Sequence, residues 1–146
     1  MSKVYVNGSS GKMGQAILDI FKKNNFNEID KIQDCDVVVD FSHPDSLNEI
    51  IDECVLSKKP LVIGTTGLSN EDFEVINKAS RIIPIIYASN FSKGILNLKK
   101  SILNFLIKSD EKYHCEIEEE HHNQKTDFPS GTAVDIREFI NQNDKK

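Results

Sequence analysis

Val4 and Val6 share one side of residues 3–7, glycines then interrupt the alternation, and Met13, Ala16, Ile17, Ile20 and Phe21 recur at helical spacing. The opening therefore reads as strand, glycine-rich turn and helix. Residues 24–34 are short and mixed, with Ile29 and Ile32 suited to a brief strand or to covering the helix. Val37-Val38-Val39, within 35–41, is a continuous apolar run of the kind that a parallel strand buried on both faces requires. His43-Pro44-Asp45 breaks it, and Leu47, Ile50, Ile51, Cys54 and Val55 then mark one face of a helix. Leu61-Val62-Ile63 predicts the next strand, ended by Gly64. Ser69 and Asp72 resemble a capping box, with Asp in place of Glu or Gln, ahead of a helix carrying Phe73 and Ile76. Residues 81–87 predict a strand whose internal Pro84 points to an edge position or a bulge. Such alternation predicts an α/β fold built on a Rossmann-like parallel sheet with helices on both faces.

Beyond Phe91-Ser92-Lys93-Gly94 the pattern changes. Ile95, Leu98, Ile102, Phe105 and Leu106 predict one long amphipathic helix, residues 113–119 a strand, and a polar loop leads to a final helix through about Ile140. One strand and two helices do not make a sheet domain. A lone strand with Glu116, Glu118 and Glu120 beside it would leave backbone groups unpaired unless another chain supplied an edge.

Composition narrows the function classes. At 146 residues the chain can bury one core and part of a second. Hydrophobic residues at 38% and charged residues at 28% argue against disorder, and no apolar run approaches the ~20 residues that cross a bilayer. Met1-Ser2-Lys3-Val4 passes straight into a strand pattern with no secretory signal, so a cytoplasmic location is expected. A net charge of −5 without a basic stripe argues against nucleic acid as a partner. The three cysteines, Cys35, Cys54 and Cys115, are far apart and read as reduced, mostly buried thiols.

Three segments carry candidate chemistry. Gly8-x-x-Gly11-x-x-Gly14 lies between a strand and a helix, the setting of a dinucleotide-binding turn, although its spacing departs from G-x-G-x-x-G. Gly8 would permit the turn, Gly11 the approach of a pyrophosphate and Gly14 the packing of helix on strand. An acidic residue about 20 positions further on would hold ribose hydroxyls, and Glu28 and Asp30 fall near that place; two solvated carboxylates explain them equally well. Gly64-Thr65-Thr66-Gly67 follows a strand at its carboxyl end, where open α/β sheets bind ligands, and Asp40-Phe41-Ser42 stands at another strand end in a supporting place. Finally, the loop from Glu120 to Ala133 includes His121, His122, Lys125, Asp127, Pro129, Ser130, Gly131 and Thr132. Two imidazoles and an ammonium can move protons near neutral pH, and a helix start favours a small dianion. The plainer reading is a polar surface loop with Ser130 or Thr132 as a helix cap. A metal site would need Glu120, His121, His122 and Asp127, yet adjacent residues on extended backbone point to opposite faces, so no metal is expected. His43 and His114 read as structural.

That last loop closely resembles the E-x-H-H-x-x-K-x-D-x-P-S-G-T-A signature of the dihydrodipicolinate reductases, with the Gly8–Gly14 turn, Gly64-Thr65-Thr66-Gly67 and Asn90-Phe91-Ser92 agreeing in order. The resemblance runs from end to end, while the family continues well beyond the point where this sequence stops. It implies a dinucleotide-binding domain over residues 1–91 and, over residues 92–146, part of an α+β substrate-binding and oligomerisation domain, a tetramer in the family. The implied activity is NADH- or NADPH-dependent reduction of the cyclic imine derived from 4-hydroxy-tetrahydrodipicolinate, in lysine and diaminopimelate biosynthesis. His121 and Lys125 would then be the acid/base pair, and His122, Ser130, Gly131 and Thr132 would hold the substrate carboxylates. Cofactor contacts would come from Gly8, Ser9, Ser10, Gly11, Lys12, Met13, Gly64, Thr65, Thr66, Ala88, Ser89, Asn90 and Phe91, with residues 91–94 as a hinge. The alternatives are a shortened NAD(P)-binding remnant without turnover and, last, a metal-dependent or acid/base hydrolase on the same fold.

Overall fold

Five short strands pair in parallel, and the helices between them cover both faces of the sheet they make. In the computed structural model residues 2–109, 111, 113–121, 123 and 128–144 are described, and the chain divides into two units, Met1–Ala88 and Ser89–Lys146.

In the first unit β1 (Lys3–Asn7), α1 (Lys12–Lys23), β2 (Asn27–Glu28), β3 (Val37–Asp40), α2 (Leu47–Ser57), β4 (Leu61–Ile63), α3 (Asn70–Ala79) and β5 (Ile85–Tyr87) follow in order. The sheet order is β2-β1-β3-β4-β5. Val4 pairs with Val37 and Asn7 with Asp40, while Asp40 also pairs with Ile63 on the far side. The chain winds outward in one direction through β2 and in the other through β4 and β5, so the switch point lies between β1 and β3.

Alternation within the strands sends side chains to two cores. Val38, Leu61 and Ile63 pack with Leu47, Ile50, Ile51 and Cys54 of α2 and with Ile76 and Ala79 of α3. Val4, Val6 and Val39 face the other way, against Ile17, Leu18 and Phe21 of α1. Full burial of side chains such as Leu47, Ile51, Leu61 and Ile63 stabilises the unit by roughly 1.5–3 kcal/mol each. The face of α1 that packs is narrower than the sequence pattern: Gly14 and Leu18 are buried, whereas Met13, Ala16 and Ile20 are exposed.

Local signals set the boundaries. Ser69 Oγ accepts from the Asp72 amide at 3.2 Å and Asp72 Oδ2 accepts from the Ser69 amide at 2.8 Å, a complete capping box at α3. Residues 81–84 precede β5 rather than belonging to it, and β5 is an edge strand, where a proline before the first paired residue costs no ladder bond. Ile32 lies in a single 3-10 turn at Ile32–Asp34, and the brief second strand stops at Glu28.

The second unit contains α4 (Lys93–Lys108) and α5 (Gly131–Asn143). Lys99 Nζ donates to Asp135 Oδ2 at 2.5 Å and lies 5.3 Å from the centre of the Phe139 ring, linking the two helices. Residues 113–121 form no strand, contrary to expectation, because no neighbouring strand among the described residues offers a ladder. No residue of α4 or α5 is buried, and two open grooves of about 550 and 560 Å³ are lined by apolar side chains including Ile117, Val134, Leu98 and Phe105. Among the described residues no helix is long and apolar enough to cross a membrane.

Two glycines of the first turn have no room for a side chain. Gly8 has φ +79°, and a Cβ there would sit 2.4 Å from the Phe41 carbonyl oxygen; a Cβ on Gly14 would sit 2.1 Å from the Gly8 carbonyl oxygen. Gly14→Ala should therefore lower stability by about 2 kcal/mol or more, while Asp19→Ala on the exposed face changes it by less than about 0.5 kcal/mol, as read from denaturant midpoints.

Candidate functional site

Within the first unit the carboxyl ends of β1, β3 and β4 are bound together by one buried side chain. Asp40 is fully buried, and its carboxylate accepts from Asn7 Nδ2 at 2.8 Å, Ser42 Oγ at 2.5 Å and Thr65 Oγ1 at 2.7 Å. Thr65 Oγ1 also accepts from the Ser42 amide at 3.0 Å, and the Gly64 amide donates to the Asp40 carbonyl at 2.8 Å. These donors are all neutral, and each belongs to a different strand end or the turn beyond it. Asp40 and Ser42 thus support the three strand ends from within.

Around this knot stands the glycine turn. The Gly11 amide donates to the Gly8 carbonyl at 2.9 Å, and Gln15 Nε2 donates to the Ser9 carbonyl at 2.6 Å, which fixes Ser9 and Ser10 ahead of α1. Gly11 is the N-cap of α1 and makes no side-chain cap bond, and no acidic residue occupies the first turn. The amides of Lys12, Met13 and Gly14 have no intrahelical carbonyl to meet, so this helix start suits phosphate oxygens. The absence of side chains at Gly8 and Gly11 and the position at the switch point fit a dinucleotide. Thr65 has its hydroxyl committed to Asp40 and Ser42, so it can meet a ligand only through its backbone; Thr66 is exposed. Ala88 follows β5, its amide donating to the Ile63 carbonyl at 3.2 Å. Glu28 and Asp30 are exposed at and beyond the end of β2.

The second unit brings together several of the other candidates. Asn90 Nδ2 donates to Thr132 Oγ1 at 2.9 Å, joining an expected cofactor contact to an expected substrate contact, and Asn90 Oδ1 accepts from the Ser92 amide at 2.7 Å. Ser89 is half-buried and Phe91 exposed. Ser130 is buried and caps α5, its Oγ accepting from the Ala133 amide at 3.1 Å; Gly131 and Thr132 form the first turn, which contains no acidic residue. The cap satisfies the Ala133 amide, and the Gly131 and Thr132 amides have no intrahelical carbonyl to meet.

Glu119 occupies the glutamate position of the E-x-H-H pattern, with His121 and His122 as its histidines, but was given no role from the sequence. Its Oε1 accepts from the Ser130 amide at 2.8 Å, its Oε2 accepts from Ser130 Oγ, and that same oxygen lies 2.9 Å from His121 Nε2. The Ser130 hydroxyl, the Ser130 amide and the His121 ring, in that order, hold the Glu119 carboxyl down to about 2. The available signal was the two-residue spacing from Glu119 to His121, which puts both side chains on one face of extended backbone. His122 and Lys125 lie outside the described residues, as does Asp127. Among the described residues no group of three or more His, Cys, Asp or Glu could hold a metal ion.

The remaining histidines make local contacts: His43 Nδ1 accepts from the Asp45 amide at 3.4 Å, and His114 Nε2 lies 3.2 Å from Glu116. Cys35 and Cys54 are buried, and burial pushes the Cys54 thiol up to about 12, which makes it unreactive. Cys115 is exposed, because the segment that carries it has no covering layer among the described residues.

Residues 23–91 match the family model described as dihydrodipicolinate reductase, N-terminus, and residues 95–146 match the one described as dihydrodipicolinate reductase, C-terminus. The 4-hydroxy-tetrahydrodipicolinate reductase of Rickettsia rickettsii is 36% identical over 154 residues, an alignment that covers 96% of this chain and 64% of that protein. The enzyme of the same description from Clostridium tetani is 37% identical over 167 residues, covering 98% of this chain and 64% of the relative. The chain thus spans about 64% of the length of these relatives. A solved structure, the dipicolinate-bound dihydrodipicolinate reductase from Paenisporosarcina sp. TG-14, shares the fold with a TM-score of 0.68 at 21% identity, over 99% of this chain and 67% of that one.

Two outcomes follow from the geometry. Asp40→Ala leaves three donors facing a void and should cost about 3 kcal/mol or more in denaturant unfolding. The Glu119 carboxyl lies below its ordinary value of 4.5 in the fold. Its contribution is therefore present above that value and lost as pH falls toward about 2. A carbon-detected NMR titration should show Glu119 still ionised at pH 3.5, with the Ser130 amide protected from exchange until lower pH.

Proposed function

Since this chain belongs to the dihydrodipicolinate reductase family, we propose that it takes part in the NAD(P)H-dependent reduction of 4-hydroxy-tetrahydrodipicolinate to tetrahydrodipicolinate. The observation that carries this reading is the start of α5, where Ser130, Gly131 and Thr132 present a helix terminus without acidic residues and Glu119 ties it to His121. Bound NADH or NADPH would supply the hydride. Gly8, Ser9, Ser10, Gly11, Lys12 and Met13 would hold its phosphates, with Gly64, Thr65, Thr66 and Ala88 on the neighbouring strand ends and Ser89, Asn90 and Phe91 in the second unit. A small dicarboxylate suits the α5 start, because helix-terminal amides and the Thr132 hydroxyl favour an anion. His121 and Lys125 would deliver the proton that completes the reduction once hydride has reached the ring, and His122 would help hold a carboxylate. A cytoplasmic location and a homo-oligomeric state belong to the same reading.

A second reading has its own support. With no buried residue in α4 or α5 and no strand over residues 113–121, the second unit has an open apolar side. That favours a chain that binds NAD(P)H through its first unit without turning over.

Oxidation of NADH and NADPH by the purified chain, with substrate formed in place by a dihydrodipicolinate synthase, separates the two. On the reductase reading, Lys125→Ala and His121→Ala should each reduce turnover by roughly a hundredfold or more while changing cofactor affinity less than about twofold. Cofactor binding without any oxidation would favour the remnant. A loss of cofactor affinity equal to the loss of rate would count against the assigned roles.

A further inference from the structure

We propose that Glu119 is a positioning residue: it fixes the ring of His121 through Nε2 and, with the same carboxylate, anchors the anion-facing start of α5, so that proton transfer runs through Nδ1. The inference deepens the reductase reading of this site and rests on it for the identity of the reaction.

Three observations combine. Glu119 is bonded by both oxygens, Oε1 to the Ser130 amide and Oε2 to the Ser130 hydroxyl and the His121 ring. Its side chain is only 16% exposed, against 38% for His121, so the contact is partly shielded from water while the imidazole keeps an open side. Ser130 is 4% exposed and is itself the cap of α5, so the carboxylate is held at the end of a rigid element rather than on a loop. A carboxylate ionised at neutral pH only accepts hydrogen bonds; the nitrogen that faces it, Nε2, must therefore carry hydrogen. Nδ1 is then the ring nitrogen at which a proton can be exchanged with a ligand. In the forward step the imidazolium would release its Nδ1 proton to the ring atom next to the carbon that has received hydride. It would become the neutral Nε2–H tautomer, still donating to Glu119. Two electrons and one proton arrive as hydride, the second proton comes from His121, and solvent restores it.

One carboxylate thus links the proton donor and the anion site. A rotation of Glu119 would misplace both, whereas a residue that merely capped the helix would affect the anion site alone. This difference gives the test.

Glu119→Gln keeps the shape but cannot accept at both oxygens. It should lower kcat roughly 10–100-fold and raise substrate KM together, with NADH affinity unchanged. Ser130→Ala should instead act mainly on KM. In parallel, nitrogen-15 spectra of histidine-labelled protein, with His121→Asn for assignment, should show neutral His121 protonated at Nε2 with a slowly exchanging N–H. Glu119→Gln should remove that slow exchange. A raised KM with kcat retained, or a His121 protonated at Nδ1 in the unmutated protein, would overturn the proposal. The spectra of the unmutated protein decide the matter even where a variant fails to fold. Absence of turnover in the unmutated protein would count against the reductase reading alone, leaving the spectra to decide for or against Glu119.

Discussion

Everything at the ligand end of the sheet depends on the burial of one carboxylate among neutral donors. Asp40 sits at the last position of β3, in register with Asn7 on one side and Ile63 on the other, and it takes hydrogen bonds from Asn7, Ser42 and Thr65. A carboxylate without its hydrogen-bond partners would not tolerate full burial, so the three neighbours must stay where they are. Phe41, next in the chain, fills the space beside them so that neither Gly8 nor Gly64 can accept a Cβ: one would meet the Phe41 carbonyl, the other its ring at 2.2 Å. The glycine turn and the Asp40 knot therefore meet in one tightly filled space around Phe41.

The second unit uses the same device without the same surroundings. Glu119 and Ser130 tie a segment of irregular backbone to a helix start, as Asp40 and Thr65 tie two strand ends. There the resemblance stops. The Asp40 knot is sealed by two apolar cores, while the Glu119 knot lies beside helices with no buried residue. Directional bonds, the Lys99–Asp135 pair included, must do in the second unit much of what side-chain packing does in the first.

This contrast also explains what could be read from the sequence. Strands such as β3 and β4 and helices α2 and α3 were legible because their side chains answer to a core, and a core imposes a period of two or 3.6. Pro84 correctly pointed to an edge, and Ser69 with Asp72 to a helix start, because both signals are local. Residues 113–119 have the alternation of a strand, but a strand exists only with a partner, and alternation cannot say whether one is present. Met13, Ala16 and Ile20 marked the helix correctly but not its buried side: apolar residues at helical spacing show a face, not whether anything covers it. Asp40 could be placed at a strand end and Glu119 within the signature, but the work each does was not legible, since what distinguishes them is the set of donors that folding brings near.

Division into units of unequal packing has a consequence for chemistry. Cofactor recognition, as proposed, draws mostly on a turn whose shape is dictated by buried groups, and such a turn needs nothing from outside the first unit. Proton delivery, on the same proposal, draws on His121, whose ring meets one partly exposed carboxylate that is held by one buried serine. A bond between exposed groups is weakened by every competing water, and its strength depends on what covers it. Whatever closes the apolar grooves beside Ile117, Val134 and Leu98 would therefore act on the chemistry as well as on stability, by drying the contact that aims the imidazole. Binding can precede that closure; on this argument, efficient proton transfer cannot.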